Sequence, residues 1–486
     1  MAKDKDLNDA GVEAQKTGKL VPLRLVDSEY DIELGPDFLE VMNQKHAFIN
    51  SLGGKPMIMC NIYNEVYDRE IIEFRSPDSI ITQYSNQTVA GGGKNGDAPV
   101  LLGKWWIGQI DRREYDTVTF EPSKEPGEYT HPRINKKYFN LWEGFTVEPV
   151  KHSWRLAHRH LYKILCNSDP IKYKYVIKWI AWMLQNPGTR AEVAVVFKGK
   201  KGAGKGFIFT QLVKLLGRHG MSISNSEHLV GKHNAHLMML SFLFADEAYY
   251  PGDKDVEGAL KQLITEPYLT VEPKFQNTKL STNCLHIGMS TNNEWVIPAS
   301  EDERRYFINE VENTYAKNQV SNEERVEYFT PMWAEMENGG RAGMLYDLLN
   351  MDLGTWHPRD DVPDTEELRR QRDLSLPRRD KAIIAFLENG IFPGKRVGVN
   401  RYIANGTVIN NYMEQIDPGS IKITMKNKFA VFKELGVTAE RTEGERLWCF
   451  PPLEDMKRTW NKLKGRYGWD DYSGWELQRQ QPIDTI

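Results

Sequence analysis

A glycine-rich loop between an apolar strand pattern and an apolar helix pattern is the feature that most constrains this chain. The loop, GKKGAGKG, occupies residues 199–206 and has the form GxxxxGK. It follows AEVAVVF, a continuous apolar run typical of a buried parallel strand, and precedes GFIFTQLVKLLG, which has helical periodicity. A strand, a glycine loop and a helix in this order aim backbone N–H groups and the helix dipole at one anion. The sequence therefore predicts a phosphate-binding α/β core.

The residues of this loop have separate expected roles. Lys205 adds a full positive charge for the β- and γ-phosphates of a triphosphate. At Gly206 the Ser or Thr that normally supplies a hydroxyl to Mg²⁺ is missing. Either water fills that coordination position or another acidic residue contributes more, and both possibilities stay open. The expected nucleotide-binding residues are Gly199, Gly202, Ala203, Gly204, Lys205, Gly206 and Phe207.

Polar side chains follow two later strand patterns. FLFADE ends in Asp246 and Glu247, where an aspartate can hold Mg²⁺ and a glutamate can polarise the water that attacks the γ-phosphate. The apolar pattern over 284–289 runs into Asn292, whose amide can donate to the γ-phosphate, with Asn293 as the alternative if the register is off by one. An Asn-Asn pair is also an ordinary turn signal.

Arg304 and Arg305 form a basic pair shortly after these asparagines. A guanidinium can neutralise charge that develops on a transferred phosphoryl group, and it commonly comes from a neighbouring subunit. A salt bridge with Glu301, Asp302 or Glu303 is the alternative explanation. The pattern does not decide which of the two arginines would act.

Composition excludes several classes of protein. The chain has 486 residues with 63 basic and 67 acidic side chains, a net charge of −4 that gives no global sign of nucleic-acid binding. No apolar run approaches the roughly 18 residues of a spanning helix, so no membrane association is expected. The four cysteines are scattered and form neither a disulfide framework nor a metal knuckle, which indicates a reducing cytosol.

Secondary-structure patterns also change along the chain. Short apolar runs with Gly and Pro punctuation predict strands before residue 150, and helical periodicity follows over about 152–186. Near the C-terminus, three helix patterns and a strand pair predict a winged-helix-like domain. In such a fold the third helix can contact DNA phosphates, here through Lys426 and Lys428. A packing domain or a protein-binding domain is the alternative.

Four stretches in order, GKKGAGKG, FLFADEA, STNNEWVIP and DERRYF, carry a family resemblance. They resemble superfamily 3 helicases, specifically the D5-like helicase modules that are attached to or accompany primases in phages and plasmids. The resemblance extends from about 135 to 350. It implies that Lys205 and its glycines bind ATP, that Asp246 holds Mg²⁺, that Glu247 activates water and that Asn292 is the polar sensor.

The same resemblance implies an assembly and a DNA contact. Arg304 or Arg305 would be the finger that reaches the ATP of the next protomer, which requires a homo-oligomeric ring, expected to be a hexamer. A hairpin between the acids and the sensor would grip single-stranded DNA in the pore. Its expected DNA contacts are Lys274 and Lys279, which bind phosphates, and Phe275, which stacks on a base.

The predicted fold class is α/β, with a P-loop AAA+-like ATPase core around a parallel sheet. A β-rich N-terminal domain and a helical collar precede this core, and the winged-helix-like domain follows it. The predicted segments are a flexible tail (1–25), the β-rich domain (26–150), the collar (151–190), the ATPase domain (191–352), a linker (353–377) and the winged-helix-like domain (378–486).

The resulting functional hypothesis is an ATP-dependent DNA helicase that pulls single-stranded DNA through a ring pore at forked DNA. It would act in phage or plasmid replication, in the host cytoplasm, with a separate primase or polymerase as partner, because residues 1–135 contain no convincing cluster of primase acids. The alternatives are a small-molecule phosphotransferase, an ATP-driven motor that remodels DNA or protein, and a nucleotide-gated origin-binding protein.

Overall fold

The computed structural model separates into two compact units. The first contains the described residues up to 293 together with 305–363, and the second contains 294–304 and 364–486. The structure describes residues 38–65, 69–89, 99–224, 235–247, 254–271, 279–299, 303–442, 444–464, 467–469 and 473–478. The predicted tail over 1–25 lies outside these ranges, as do Lys274 and Phe275.

The first unit begins with small sheets of short strands, packed with three helices. The strands are β1 (His46–Leu52), β2 (Lys55–Asn64), β3 (Arg69–Arg75), β4 (Thr88–Val89), β5 (Val100–Leu101), β6 (Glu114–Tyr115), β7 (Thr117–Thr119), β8 (Gly127–Thr130) and β9 (Lys137–Asn140), and the helices are α1 (Phe38–Lys45), α2 (Pro77–Gln83) and α3 (Leu102–Ile107). One sheet has the order β3-β2-β1-β6, another has the order β7-β9-β8, and β4 pairs with β5. Helix α2 begins where sequence rules place a start, because Ser76 caps it and a proline occupies its first position.

Two helices then lead to the central sheet. Helix α4 (Arg155–His160) continues into a π-helical turn (Leu161–Leu165), and α5 (Pro170–Gln185) is capped by Asp169. Helix α5 is apolar on most of its surface and correspondingly buries nine residues, among them Trp179. It forms the centre of the largest apolar core in the described part of the chain.

A five-stranded parallel sheet follows and positions the glycine loop. Its strands are β10 (Ala194–Lys198), β11 (Gly220–Ile223), β12 (Phe242–Asp246), β15 (His286–Thr291) and β16 (Tyr306–Glu310), and β13 (Tyr268–Val271) and β14 (Lys279–Thr282) form a separate antiparallel pair. The order across the sheet is β11-β12-β15-β10-β16. The chain therefore leaves β10 for the far edge of the sheet, so the point where the strand order reverses lies at the carboxyl ends of β10 and β15. Open α/β sheets bind ligands at such points.

Helices cover this sheet and extend the first unit. They are α6 (Phe207–Leu216), directly after the glycine loop, α7 (Lys254–Thr265), α8 (Asn322–Glu335) and α9 (Arg341–Leu349), with a π-helical turn over Met336–Gly340. Short 3₁₀ turns occupy Gly217–His219 and Ala235–Met239. Ser321 and Glu324 form a capping box at the start of α8.

The second unit has its own core and a four-stranded antiparallel sheet, in the order β18-β19-β21-β20. Its elements are α10 (Glu366–Ser375), α11 (Arg378–Asn389), β17 (Ile391–Phe392), β18 (Lys395–Arg396), β19 (Tyr402–Asn405), α12 (Gly406–Ile416), a 3₁₀ turn (Pro418–Lys422), α13 (Met425–Glu434), β20 (Thr438–Thr442), β21 (Glu445–Phe450), α14 (Leu453–Lys464) and β22 (Glu476–Leu477). Asn405 caps α12 and Thr424 caps α13. The β20–β21 hairpin follows these two helices along the chain. Among the helices of the described ranges, none has the length and hydropathy needed to cross a membrane.

Candidate functional site

The glycine loop leaves β10 and enters α6 with a backbone that only glycine adopts easily. Gly202 and Gly204 have φ angles of 84° and 88°, in the left-handed region. A Cβ on Gly204 would lie 2.7 Å from the His160 ring and 2.8 Å from the Phe329 ring. Both conformation and space therefore require glycine at position 204.

Lys205 is the central charge of the site. Its side chain is buried, with 7% of the residue exposed. Nζ donates to the carbonyl oxygens of Gly199 at 2.8 Å and Lys200 at 3.0 Å, and to Asn292 Oδ1 at 2.5 Å. Burial lowers the pKa of Lys205, while the charges of Glu247 and Asp246 act in the opposite direction. The three acceptors are neutral, so the ammonium keeps most of its attraction for an anion.

The two predicted acids lie at the carboxyl end of β12, beside the end of β15. Asp246 is exposed, and its Oδ1 accepts a hydrogen bond from the hydroxyl of Ser290, its partner in the sheet register. Glu247 Oε2 accepts from Thr291 Oγ1 at 3.2 Å and from the Asn292 N–H at 3.1 Å. The structure thus brings Asp246, Glu247 and Asn292 together with Lys205, as predicted from the strand ends.

Glu247 has an unusual backbone. Its φ angle is +56°, in the left-handed region that non-glycine residues rarely adopt. The Glu247 N–H donates to the Ser290 carbonyl at 2.9 Å, which holds the residue in this conformation. Strained residues of this kind cluster at functional sites. The carboxylate of Glu247 accepts its hydrogen bonds from Thr291 and Asn292, at the end of β15.

Gly206 has a packing explanation that the sequence pattern did not reveal. A Cβ at this position would lie 2.8 Å from Phe244 Cζ, so a serine or threonine would clash with a buried ring of β12. The hydroxyls closest to Asp246 and Glu247 come instead from Ser290 and Thr291. An exposed carboxylate with an adjacent hydroxyl is an oxygen set that suits Mg²⁺.

The predicted arginine pair lies elsewhere. The carbonyl of Arg305 accepts from the Ala194 N–H at 2.8 Å, at the amino ends of β10 and β16. The glycine loop lies at the carboxyl ends of the same strands. Within one chain, Arg305 and the loop therefore lie at opposite ends of these strands. Arg304 is exposed and belongs to the second unit.

Several residues that hold the outer side of the loop were not predicted from the sequence. Asn313 Oδ1 accepts from the Lys200 N–H at 2.7 Å, and Arg325 Nη2 donates to the Gly202 carbonyl at 3.4 Å. Asn313 follows β16, the strand beside β10, at the same edge of the sheet. That adjacency is the one signal that could have identified it, since parallel neighbouring strands end together.

His160 supports the loop from the other side. Its residue is fully buried, and burial lowers its pKa to about 4, so the ring is neutral near pH 7. Nε2 lies 3.1 Å from the Gly204 carbonyl and Nδ1 lies 3.1 Å from the Tyr328 hydroxyl. Because a carbonyl only accepts, Nε2 carries the proton and Nδ1 accepts from Tyr328. No local pattern around 160 indicated this contact.

The residues predicted to bind DNA divide into four cases. Lys426 is exposed on α13. Lys279 begins β14, while nothing is described of its side chain, and Lys274 and Phe275 lie outside the described residues. Lys428 contradicts the prediction, because it is fully buried. Its Nζ donates to Asn410 Oδ1 at 2.8 Å and lies 3.5 Å from the Glu414 carboxylate. Lys428 faces α12 rather than solvent and cannot contact DNA.

Cysteine and metal-ligand chemistry add little to this site. All four cysteines are buried and free of disulfides. Within the described ranges, no group of three or more His, Cys, Asp or Glu residues is arranged to hold a metal ion.

Comparisons with known proteins find similarity to a phage protein. Residues 197–305 match a family of unknown function, DUF5906. The DNA primase-polymerase of Nitratiruptor phage NrS-1 is 26% identical over 286 residues, which are 56% of this chain and 38% of that protein. Two structures of the NrS-1 C-terminal region share the fold, with TM-scores of 0.59 and 0.58 and 18% and 17% identity. Each alignment covers 86% of this chain and 99% of the other.

These comparisons overturn the helicase hypothesis. The curated relative is a DNA primase-polymerase, and the similar structures come from the C-terminal region of NrS-1. That relative is a primase-polymerase and not a superfamily 3 helicase. The motifs around 199–206 predict a phosphate site, and such sites serve many activities, so the motifs did not determine the activity. The chain spans about two fifths of the relative it matches, 38% of its length.

Proposed function

We propose that this chain is the nucleotide-binding part of a DNA replication protein of the primase-polymerase type, and that the loop over 199–206 binds a nucleoside triphosphate such as ATP together with Mg²⁺. The observation that carries the proposal is Lys205, a buried ammonium whose described acceptors are all neutral. Burying a charge is costly unless an opposite charge or strong hydrogen bonds offset it. A triphosphate at the loop would provide that opposite charge.

The residues around the loop fit a magnesium ion. Asp246 is the proposed ligand, because its carboxylate is exposed at the strand end and is hydrogen bonded to Ser290. When bound, Mg²⁺ neutralises charge on the phosphates. Gly206 cannot contribute a hydroxyl, so Asp246 and water would hold the ion. Removing the metal with a chelator is therefore expected to weaken triphosphate binding more than monophosphate binding.

A finer part of the proposal concerns turnover. Glu247 accepts hydrogen bonds from the Thr291 hydroxyl and the Asn292 N–H, which fix the direction of its carboxylate. A Glu247 carboxylate beside the terminal phosphate would polarise a water molecule, and the expected product is inorganic phosphate. Glu247→Gln should retain nucleotide binding and lose phosphate release. Equal phosphate release by this variant would remove Glu247 from the proposal.

The DNA-directed part of the proposal rests on the second unit. Helices α12 and α13 and the β20–β21 hairpin follow one another, which supports the predicted winged-helix-like domain. Lys426 lies exposed near the start of α13, where it would contact DNA phosphates. An arginine finger from a second copy of the chain stays a prediction, since Arg305 can reach a triphosphate only from another copy.

The experiment that tests the proposal compares two lysines on neighbouring segments. In the full chain, Lys205→Ala should weaken binding of a fluorescent ATP analogue with Mg²⁺ by roughly a hundredfold, because a charge-assisted contact to phosphate is lost. Lys214→Ala is the matched control. Lys214 lies on α6 and pairs on the surface with Glu337 at 2.6 Å, so its loss should change affinity little. Wild-type affinity in Lys205→Ala would refute nucleotide binding at this loop.

A further inference from the structure

A cavity lies in the N-terminal part of the first unit, and its residues are far from the glycine loop in the sequence. Its volume is about 970 Å³, and its lining residues all fall between 38 and 102. Helix α1, strands β1 and β2 and the segment after α2 form its walls. The size suits a small ligand. This cavity shares no residue with the site at 199–206 and is independent of the function proposed there.

Two buried polar atoms in the wall have no hydrogen-bond partner in the described part of the chain. They are His46 Nδ1 and Gln87 Oε1. His46 is 5% exposed, and its other ring nitrogen, Nε2, lies 2.8 Å from the Tyr84 hydroxyl. Native proteins rarely leave such atoms unpaired, because a buried unpaired group costs the free energy of its lost hydration. A ligand that hydrogen bonds to both atoms would recover this cost.

The charge state of His46 narrows the chemistry of that ligand. Burial lowers the pKa of His46 to about 4, and the charges of Lys45 and Arg75 act in the same direction. The ring is therefore neutral near pH 7 and offers a single N–H or a single lone pair at Nδ1. Gln87 Oε1 offers an acceptor in the wall of the same cavity. The matching group is uncharged and carries hydrogen-bonding atoms on one edge, as a nucleobase does.

The remaining walls suit a planar ring. Phe38, Tyr63 and Tyr84 line the cavity, and Tyr63 is 58% exposed. An exposed aromatic ring beside a cavity can stack on a base, and stacking of this kind tolerates any base. These three side chains give the cavity flat apolar surfaces in addition to its polar pair.

Cationic side chains complete the match to a nucleotide. Lys45 is exposed, and the partly exposed guanidinium of Arg75 is held by Glu73 at 3.0 Å and by Gln83 at 2.9 Å. Glu70 is the acidic residue among the lining residues, and Glu73, which lies outside the lining, pairs with Arg75. A phosphate or phosphodiester would be attracted to Lys45 and Arg75.

We propose that this cavity binds the base of a nucleotide, with hydrogen bonds to His46 and Gln87, stacking against Tyr63, and the phosphate near Lys45 and Arg75. The nucleotide is either free in solution or part of single-stranded DNA, since the two present the same base and phosphate. The cavity thus gives the N-terminal region a direct role in nucleotide recognition.

The test uses the full chain with Lys205→Ala, so that the loop at 199–206 contributes little binding. Two probes separate the sources of the base: a free fluorescent nucleotide, and a single-stranded oligonucleotide that contains 2-aminopurine. Adding Gln87→Leu should weaken whichever probe binds by about fivefold or more through the lost hydrogen bond, and Tyr63→Ala should weaken it by about tenfold through lost stacking. Gln109→Leu is the control, because Gln109 lies outside the cavity and bonds to the Trp105 carbonyl.

Photo-crosslinking of the probe followed by mass spectrometry guards against variants that fail to fold. Crosslinks within 38–102 in the Lys205→Ala parent, together with the two losses of affinity, support the proposal. The probe that binds identifies the source of the base. Failure of both probes to bind the parent, or affinities of Gln87→Leu and Tyr63→Ala within about twofold of the parent, would overturn it. Neither result depends on nucleotide binding at Lys205.

Discussion

Each of the two units buries lysines, and one buried lysine of each unit, Lys205 and Lys428, is satisfied in a different way. In the first unit, Lys205 donates to two backbone carbonyls and an amide oxygen. In the second unit, Lys428 donates to Asn410 and lies 3.5 Å from the carboxylate of Glu414. The charge of Lys428 is therefore compensated inside its own unit, whereas that of Lys205 lacks a bonded counter-charge among the described residues.

This difference separates a structural lysine, Lys428, from the lysine that we propose binds phosphate, Lys205. A buried ion pair is complete without a ligand, and removing one partner leaves the other uncompensated. A buried ammonium that is hydrogen bonded only to neutral groups still attracts an anion, because its charge is not cancelled. Burial alone would have grouped the two residues together. The nature of the acceptor distinguishes them, and it also distinguishes how the two units should respond to mutation and pH.

The largest expected difference between the units is in acid. All eleven histidines of the chain lie before residue 358, in the first unit, and burial lowers the pKa of three of them to about 4. These three are His46, His160 and His286. Their unfolded pKa is 6.5, so between pH 6.5 and 4 the unfolded chain binds more protons and the folded unit loses stability as the pH falls. At pH 5 each histidine should cost the first unit about 2 kcal/mol.

Hydrogen exchange read out separately for the two units at pH 7 and pH 5 measures this effect. Amides of the central sheet should lose protection at pH 5, while those of α11 to α13 should change little. His286→Leu should reduce the stability that the first unit loses between pH 7 and pH 5 by the amount expected for one histidine. Equal loss of protection in both units would mean that histidine burial does not govern the difference.

The next effect concerns the second unit. Lys428→Ala should lower its unfolding free energy by about 3 kcal/mol, because the change removes a packed side chain and the partner of Glu414. Lys428→Met keeps the volume and should lose less. Lys426→Ala, on the exposed face of the same helix, should stay within about 0.5 kcal/mol of wild type. Chemical denaturation measures all three, and a stable Lys428→Ala would mean that the buried ion pair contributes little.

Lys428 also shows where sequence reasoning stops. The strand, loop and helix around 199–206 and the polar strand ends at 246 and 292 were predictable, because local periodicity and parallel strand order determine them. The burial of Lys428 was not, since it depends on Asn410 across the α12–α13 pair. Likewise, the contact between the Lys200 N–H and Asn313 spans 113 residues. Contacts between distant segments leave no local pattern in the sequence. The activity of a protein with such a fold is not determined by a local pattern either.

A smaller effect tests the packing account of Gly206. Gly206→Ser would introduce a Cβ 2.8 Å from the Phe244 ring, and forcing an atom into this packed region should cost about 2 kcal/mol of unfolding free energy. Phe244→Leu makes space, so the double variant Gly206→Ser with Phe244→Leu should be less destabilised than the sum of the two single changes. Thermal denaturation gives the double-mutant cycle. Strict additivity would mean that the phenylalanine ring is not the reason for glycine.

The smallest expected effect sharpens the contrast between Lys426 and its buried neighbour Lys428. If α13 contacts DNA, Lys426→Ala should weaken binding to DNA by a factor of a few and reduce the slope of log affinity against log salt by about one, since one phosphate contact is lost. Fluorescence anisotropy at several salt concentrations measures both quantities. Lys462→Ala, an exposed lysine on α14, is the charge-matched control and should leave the slope unchanged. An equal change of the salt slope in both variants would indicate that DNA responds to charge spread over the protein surface rather than to a contact at α13. Lys426 would then make no specific contact with a DNA phosphate.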